Sequence, residues 1–195
     1  MKYFYSWVVL TMFACGQQNE HDQHQSHQSS NSEVLQDTAK GSPHRTVMAN
    51  IGELHVHMEY NSPAVRKRII WGGLVPFDEV WVSGAHMATS ISFSGDVWIN
   101  GQKVEQGKYA FFSIPSQGEW TLILNKNWEQ HLTDEYSQAD DVLRWKVKPE
   151  PAEHNERLNY SLIPQGPKLI VAMQWETIKI AFEVHSKPVN EAILG

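Results

Sequence analysis

From residue 42 onward, apolar and polar residues alternate with period two, and Gly, Asn and Pro interrupt the alternation roughly every eight to twelve residues. Few stretches carry a helical period, so the chain is limited to many short strands and must bury their apolar faces against each other. The expectation is an all-β domain, a single β-sandwich, jelly-roll-like or immunoglobulin-like, with one or two short helices. Leu54, Val56, Met58 and Tyr60 alternate with Glu53, His55, His57 and Glu59, which gives that strand one apolar and one polar face. Asn100-Gly101 between residues 96–99 and 102–104 predicts a hairpin, because both residues tolerate the positive φ that a type I′ turn demands. Further strands are expected over 88–93, 108–114, 120–125, 143–148, 158–163, 168–175 and 177–184. Pro115, Pro149 and Pro164 are expected to close three of them, since proline donates nothing to a ladder. Short helical pieces are expected near 63–70 and 127–136.

The N-terminus reads as an export signal. Lys2 precedes an aromatic and aliphatic stretch over 3–13, followed by Ala14 and the only cysteine, Cys15. A bilayer core of about 30 Å needs about twenty helical residues, so this segment is too short to span and fits a removed signal. Met12-Phe13-Ala14-Cys15 resembles a lipobox, with a small residue before the cysteine. Residues 1–14 are therefore expected to be a lipoprotein signal and Cys15 the lipidation point. A diacylglyceryl thioether with an N-acyl chain exceeds the two chains that stable anchoring takes.

Residues 15–41 are rich in Gln, His, Ser, Asn and Asp, and from Gly16 to Gly41 there is no aromatic residue. Such a segment buries too little apolar area to offset its ordering entropy and reads as a tether. As a random coil it would span roughly 28 Å. Residues 42–187 form the one expected domain and 188–195 a tail. With Cys15 lipidated no cysteine remains for a disulfide, and a domain of this size is expected to stand on its core. The formal charge of -6 is spread along the chain, and no Lys/Arg-rich block suggests nucleic acid as a partner.

Three phrases carry a family likeness: Ile70-Trp71-Gly72-Gly73-Leu74-Val75-Pro76, Trp81-Val82-Ser83-Gly84-Ala85 and Gly107-Lys108-Tyr109-Ala110-Phe111-Phe112-Ser113-Ile114-Pro115. Over residues 42–187 the chain resembles the domain-of-unknown-function family 2911. The resemblance implies a compact, β-rich, exported bacterial domain and names no reaction. The chain also departs from the family's pattern. Ser62 stands for an arginine before Pro63, Lys67 for a glycine before Arg68, Val82 and Ser83 for an Arg-Thr pair, and His86 and Met87 for Asn-Glu. If those polar positions hold a ligand in relatives, this chain lacks the site's carboxylate and one or two of its guanidinium donors, and of the pattern it keeps Arg68, Gly84, Ala88 and Thr89. Arg68 and His86 are thus candidate binding residues, with an ion-pair role for Arg68 as the alternative.

Trp71, Trp81, Trp98, Trp120, Trp128, Trp145 and Trp175 lie beyond the signal. Rings of this size usually fill cores, yet exposed ones can stack on sugars, and Trp81 and Trp128 are candidate ligand contacts. On the polar face, His55 and His57 stand two apart and could share a divalent metal, with His86 as a third ligand; a solvated face is the alternative. His21, His24 and His27 in the tether are read as compositional bias. Ser83 lacks the Gly-x-Ser-x-Gly elbow, and Asp134-Glu135 and Asp140-Asp141 are adjacent loop acids without a facing partner.

The expectation is a lipoprotein of the cell envelope, anchored to the membrane, most simply the outer one. Its sandwich would serve as a binding or envelope-associated module for a small molecule, a glycan or a protein. A metal-dependent protein using His55, His57 and His86, or a structural envelope protein without small ligand, are the rival readings.

Overall fold

The computed structural model describes residues 40–188. Cys15, the signal, the tether histidines and most of the tail lie outside them. The described chain is all-β: β1 (His44–Ile51), β2 (Leu54–Asn61), β3 (Ser90–Phe93), β4 (Val97–Ile99), β5 (Gln102–Val104), β6 (Gly107–Ile114), β7 (Trp120–Asn125), β8 (Asp141–Val147), β9 (Glu150–Gln165) and β10 (Lys168–His185). A six-stranded antiparallel sheet runs β1-β2-β3-β6-β7-β8, and a four-stranded sheet runs β5-β4-β10-β9. The first sheet is a meander from which the β4–β5 hairpin departs to join the second. The two sheets pack face to face as a β-sandwich.

Local chemistry explains most of these elements. On β2, Val56, Met58 and Tyr60 are buried while His55, His57 and Glu59 are not, the expected alternation. Asn100 and Gly101 sit at φ 49° and 75° between β4 and β5, as a type I′ turn requires. The main core lies between the sheets and includes Trp120, Phe111, Leu122, Leu124, Tyr160 and Trp175. A second, smaller core lies on the outer face of the six-stranded sheet. There Ala110 and Phe112 of β6 and Ile123 of β7 are covered by Val82, Ala88 and the half-buried Trp81, Trp128 and Tyr136. Two long loops therefore lie over that face.

Three expectations are corrected, and one strand is added to them. The helical pieces are absent: 63–70 and 127–136 are turns, and one 3-10 turn, Gln138–Asp140, stands beyond them. Arg66 and Lys67 at φ 49° and 58°, and Leu132 at 48°, hold conformations no right-handed helix accepts. Residues 168–184 form one strand, not two. Glu176, at φ 55°, takes up the interruption as an irregularity in the β9–β10 pairing. Pro164 lies inside β9, paired with Leu169, and Pro151 pairs with Ile178. β9 is the edge of its sheet, where a missing N–H costs no ladder bond. Finally, β1 went unanticipated. It is also an edge strand, with Met48 exposed and only Ile51 buried, so its alternation is faint.

Where β9 breaks register with β10, it pairs with the loop after β2. Val65 N–H donates to Glu156 O at 2.7 Å and Leu158 N–H to Pro63 O at 3.0 Å. That pairing pins the start of the 63–88 loop to the second sheet. Residues 80–82 then run beside β6 past the end of β3, with Trp81 and Ser113 exchanging backbone bonds of 2.8 and 3.0 Å.

Candidate functional site

At one end of the sandwich, four indoles meet. Trp71 lies 4.8 Å from Trp120 and 5.8 Å from both Trp81 and Trp175, ring centre to ring centre, and Trp81 stacks on Trp175. Trp81 and Trp175 also form part of the wall of a cavity of about 300 Å³. Arg68, Leu74, His86 and Leu132 join them in the lining. Three residues singled out from sequence, Arg68, Trp81 and His86, thus share one site. Trp128 does not line it.

The wall is built rigidly. The carbonyl of Ser83 accepts from the buried Tyr160 hydroxyl at 2.7 Å and from Thr89 Oγ1 at 3.0 Å, and Ser83 Oγ donates to Ser113 Oγ at 2.9 Å. Burial holds the Tyr160 hydroxyl neutral, with its pKa well above the usual tyrosine value. Trp81 Nε1 donates to Gly84 O at 3.1 Å, which fixes the ring against the wall. A Cβ on Gly84 would stand 2.7 Å from Thr89 Oγ1, so the loop closes this tightly only with glycine there. Ser83 at φ 53° and His86 at φ 62° hold left-handed backbone. Such strain persists only where surrounding bonds over-determine it, and Leu132 N–H on His86 O at 2.7 Å is one of them.

Arg68 is exposed. Its Nε donates to Val65 O at 3.1 Å and its Nη2 to Ala64 O at 2.5 Å. Those bonds engage two of the five guanidinium N–H donors. No Asp or Glu lines the cavity. Apart from Ser42, its polar side chains are Arg68, His86 and the two indoles.

Across the 82–88 loop lies a second cleft, of about 430 Å³, bordered by Met87, Ala88 and Trp128, with Glu59, Ser90 and Lys108 among its lining residues. Lys108 Nζ donates to Glu59 Oε2 at 2.5 Å and stands 4.1 Å from the centre of the Trp128 ring. The hydrogen bond from Lys108 holds the Glu59 carboxyl below its usual pKa. Trp128 packs against the outer core, lines this cleft and carries the ammonium over its ring. This trio was not legible in sequence, because Glu59 and Lys108 come from different strands, β2 and β6, with β3 between them.

The three-histidine metal set does not assemble. His55 and His57 stand on the outer face of β2 with ring centres 6.4 Å apart, and His55 Nδ1 lies 2.8 Å from Asn50 Oδ1. The loop of His86 borders β2 at its other end, around Glu59 and Asn61. Among the described residues no three His, Cys, Asp or Glu side chains gather to hold a metal.

A family model described as "Protein of unknown function (DUF2911)" matches residues 42–184. No curated protein and no solved structure matches the chain.

Proposed function

We propose, from the premise that the chain belongs to the DUF2911 family, a family of unknown function, that it is a lipid-anchored binding module of the cell envelope. Its ligand would be a small molecule seated in the cavity lined by Arg68, Trp81 and His86. One observation carries this reading: residues from separate turns of a loop that could have packed as plain surface converge on a concave, mostly apolar cavity containing a few polar side chains. Concave apolar sites with few polar groups are the usual form of a small-molecule site. The rigid, locally strained wall supports it, because pre-organisation lowers the cost of binding.

Thermal melting of the full chain against a panel of neutral sugars, amines, carboxylates and acyl compounds tests the cavity. A ligand at a hundred times its Kd adds about 2.7 kcal/mol, and each kcal/mol moves the midpoint of a domain this size by about 2–4 °C. At least one compound is expected to raise the midpoint by more than about 5 °C, and Ala85→Phe, which fills the cavity from its lining, is expected to cancel the rise. A flat response to the whole panel would sink the binding reading.

The anchor rests on Lys2, the apolar stretch after it and Met12-Phe13-Ala14-Cys15. Intact mass of the chain extracted from membranes is expected to show a protein beginning at Cys15 and carrying three acyl chains. An unmodified Cys15 in a soluble product would defeat the anchor while leaving the cavity reading standing.

A further inference from the structure

We infer that the cavity takes an anionic amphiphile, a carboxylate or phosphate head on an acyl or aryl body. This rests on the reading of the cavity as a binding site and names the class of its ligand.

The argument is one of charge and polarity. Leu74, Val75, Val82 and Leu132 are among the lining residues, and the Arg68 guanidinium and the His86 imidazole meet no acid there. A cationic ligand would face Arg68 with like charge and find no carboxylate to pair with. A sugar would bury many hydroxyls against walls with few partners for them, at a cost for each one left unpaired. An anionic head on an apolar body suits both halves: the head pairs with the guanidinium donors not used on Ala64 and Val65, and the body lies against the aliphatic and indole walls. At about 300 Å³ the cavity sits at the small end of ligand sites, enough for a head and a short length of chain.

The surroundings agree. Leu74 and Leu132 are 45% and 41% exposed, and Ile69, one residue from Arg68, is 78% exposed. Together they make an apolar fringe beside the basic run Arg66-Lys67-Arg68. Arg66 has Glu156 near it, but that carboxylate accepts from the Arg66 backbone N–H at 2.9 Å. Arg66 Nη2 reaches Gly41 O, and Ser42 lines the cavity, so the site opens where the chain from Cys15 enters the domain. An amphiphile could arrive free in solution or as a lipid of the membrane to which that chain leads.

The test uses the full chain with three probes: sodium octanoate, 1-octanol as its uncharged counterpart, and vesicles of phosphatidylglycerol compared with phosphatidylcholine. Octanoate is expected to bind at least about tenfold more tightly than octanol by calorimetry, the contribution of one charge-assisted pair. Arg68→Gln is expected to remove that preference and leave octanol binding unchanged, and Arg68→Lys to keep much of it. Because Arg68 also holds two backbone carbonyls, a merely structural loss would weaken octanol equally, and that outcome would count against the proposal. Leu74→Glu, at an exposed position on the fringe, is expected to repel octanoate without disturbing the fold. Selective binding to phosphatidylglycerol vesicles that Arg68→Gln abolishes would assign the same chemistry to a membrane lipid; selective octanoate binding without it would assign a soluble ligand. Equal binding of octanol and octanoate, cancelled by Ala85→Phe, would overturn the class of ligand while the cavity remained a binding site. No binding by any probe would overturn the class, and the panel of mixed compounds then decides whether the cavity reading falls with it.

Discussion

Trp175→Ala is expected to cost about 3–5 kcal/mol of folding stability. Trp175 is fully buried in the core, stacked on Trp81 and edge-on to Trp71, so it ties β10 to the loop between β2 and β3. Loss of the ring leaves a hole among fully buried, close-packed rings, which the surrounding core closes only in part. Domains of this kind have about 5–15 kcal/mol in total, so the variant should sit near the edge of unfolding. The midpoint is expected to fall by about 6–20 °C. The cavity should also lose a wall, since Trp175 lines it. A midpoint within a degree or two of the parent would show that the indole cluster contributes little, against the packing described above.

The second large effect is expected at Gly73. Its loop is held by its own backbone bonds: Leu74 N–H to Ile69 O at 3.0 Å, Val75 N–H to Ile70 O at 2.9 Å and Gly72 N–H to Val75 O at 2.8 Å. A Cβ on Gly73 would lie 2.5 Å from Ile69 O, a backbone atom that cannot swing aside. The alanine variant must therefore separate the two sides of the loop and weaken the Leu74–Ile69 bond. Overpacking of this kind costs about 1–3 kcal/mol and a lost hydrogen bond about 1 more. Urea titration is expected to show a loss of about 2–4 kcal/mol, with ligand binding weakened because Leu74 and Val75 move. Gly118→Ala is the control: nothing lies within 4 Å of its Cβ position, so it should be near neutral. If both substitutions behave alike, the close contact at Ile69 is not what holds the loop.

Legibility in the sequence followed the range of the interactions involved. β2, β6, β7 and the Asn100-Gly101 hairpin could be read because alternation and turn chemistry are properties of a few adjacent residues. The same local reading failed at 63–70 and 127–136. Those segments have helical composition, but Val65 is bonded to Glu156 and Leu132 to His86, partners far away in the chain. It failed again at Pro164, since only the sheet order makes β9 an edge that tolerates proline. The site divides in the same way. Arg68, Trp81 and His86 could be singled out as candidates, whereas their meeting in one cavity without an acid could not.

The all-β class, the sandwich and the family were thus written in the order of residues, because period-two burial and turn propensity act between neighbours. Which strands share a sheet, which loop covers the outer face, and which side chains converge on the cavity were decided by pairing between distant segments. The hydrogen bonds from Val65 to Glu156, from Tyr160 to Ser83 and from Leu132 to His86 each join residues about forty to ninety positions apart. No local pattern encodes such pairings; they form only when burial of both sheets brings their backbones together.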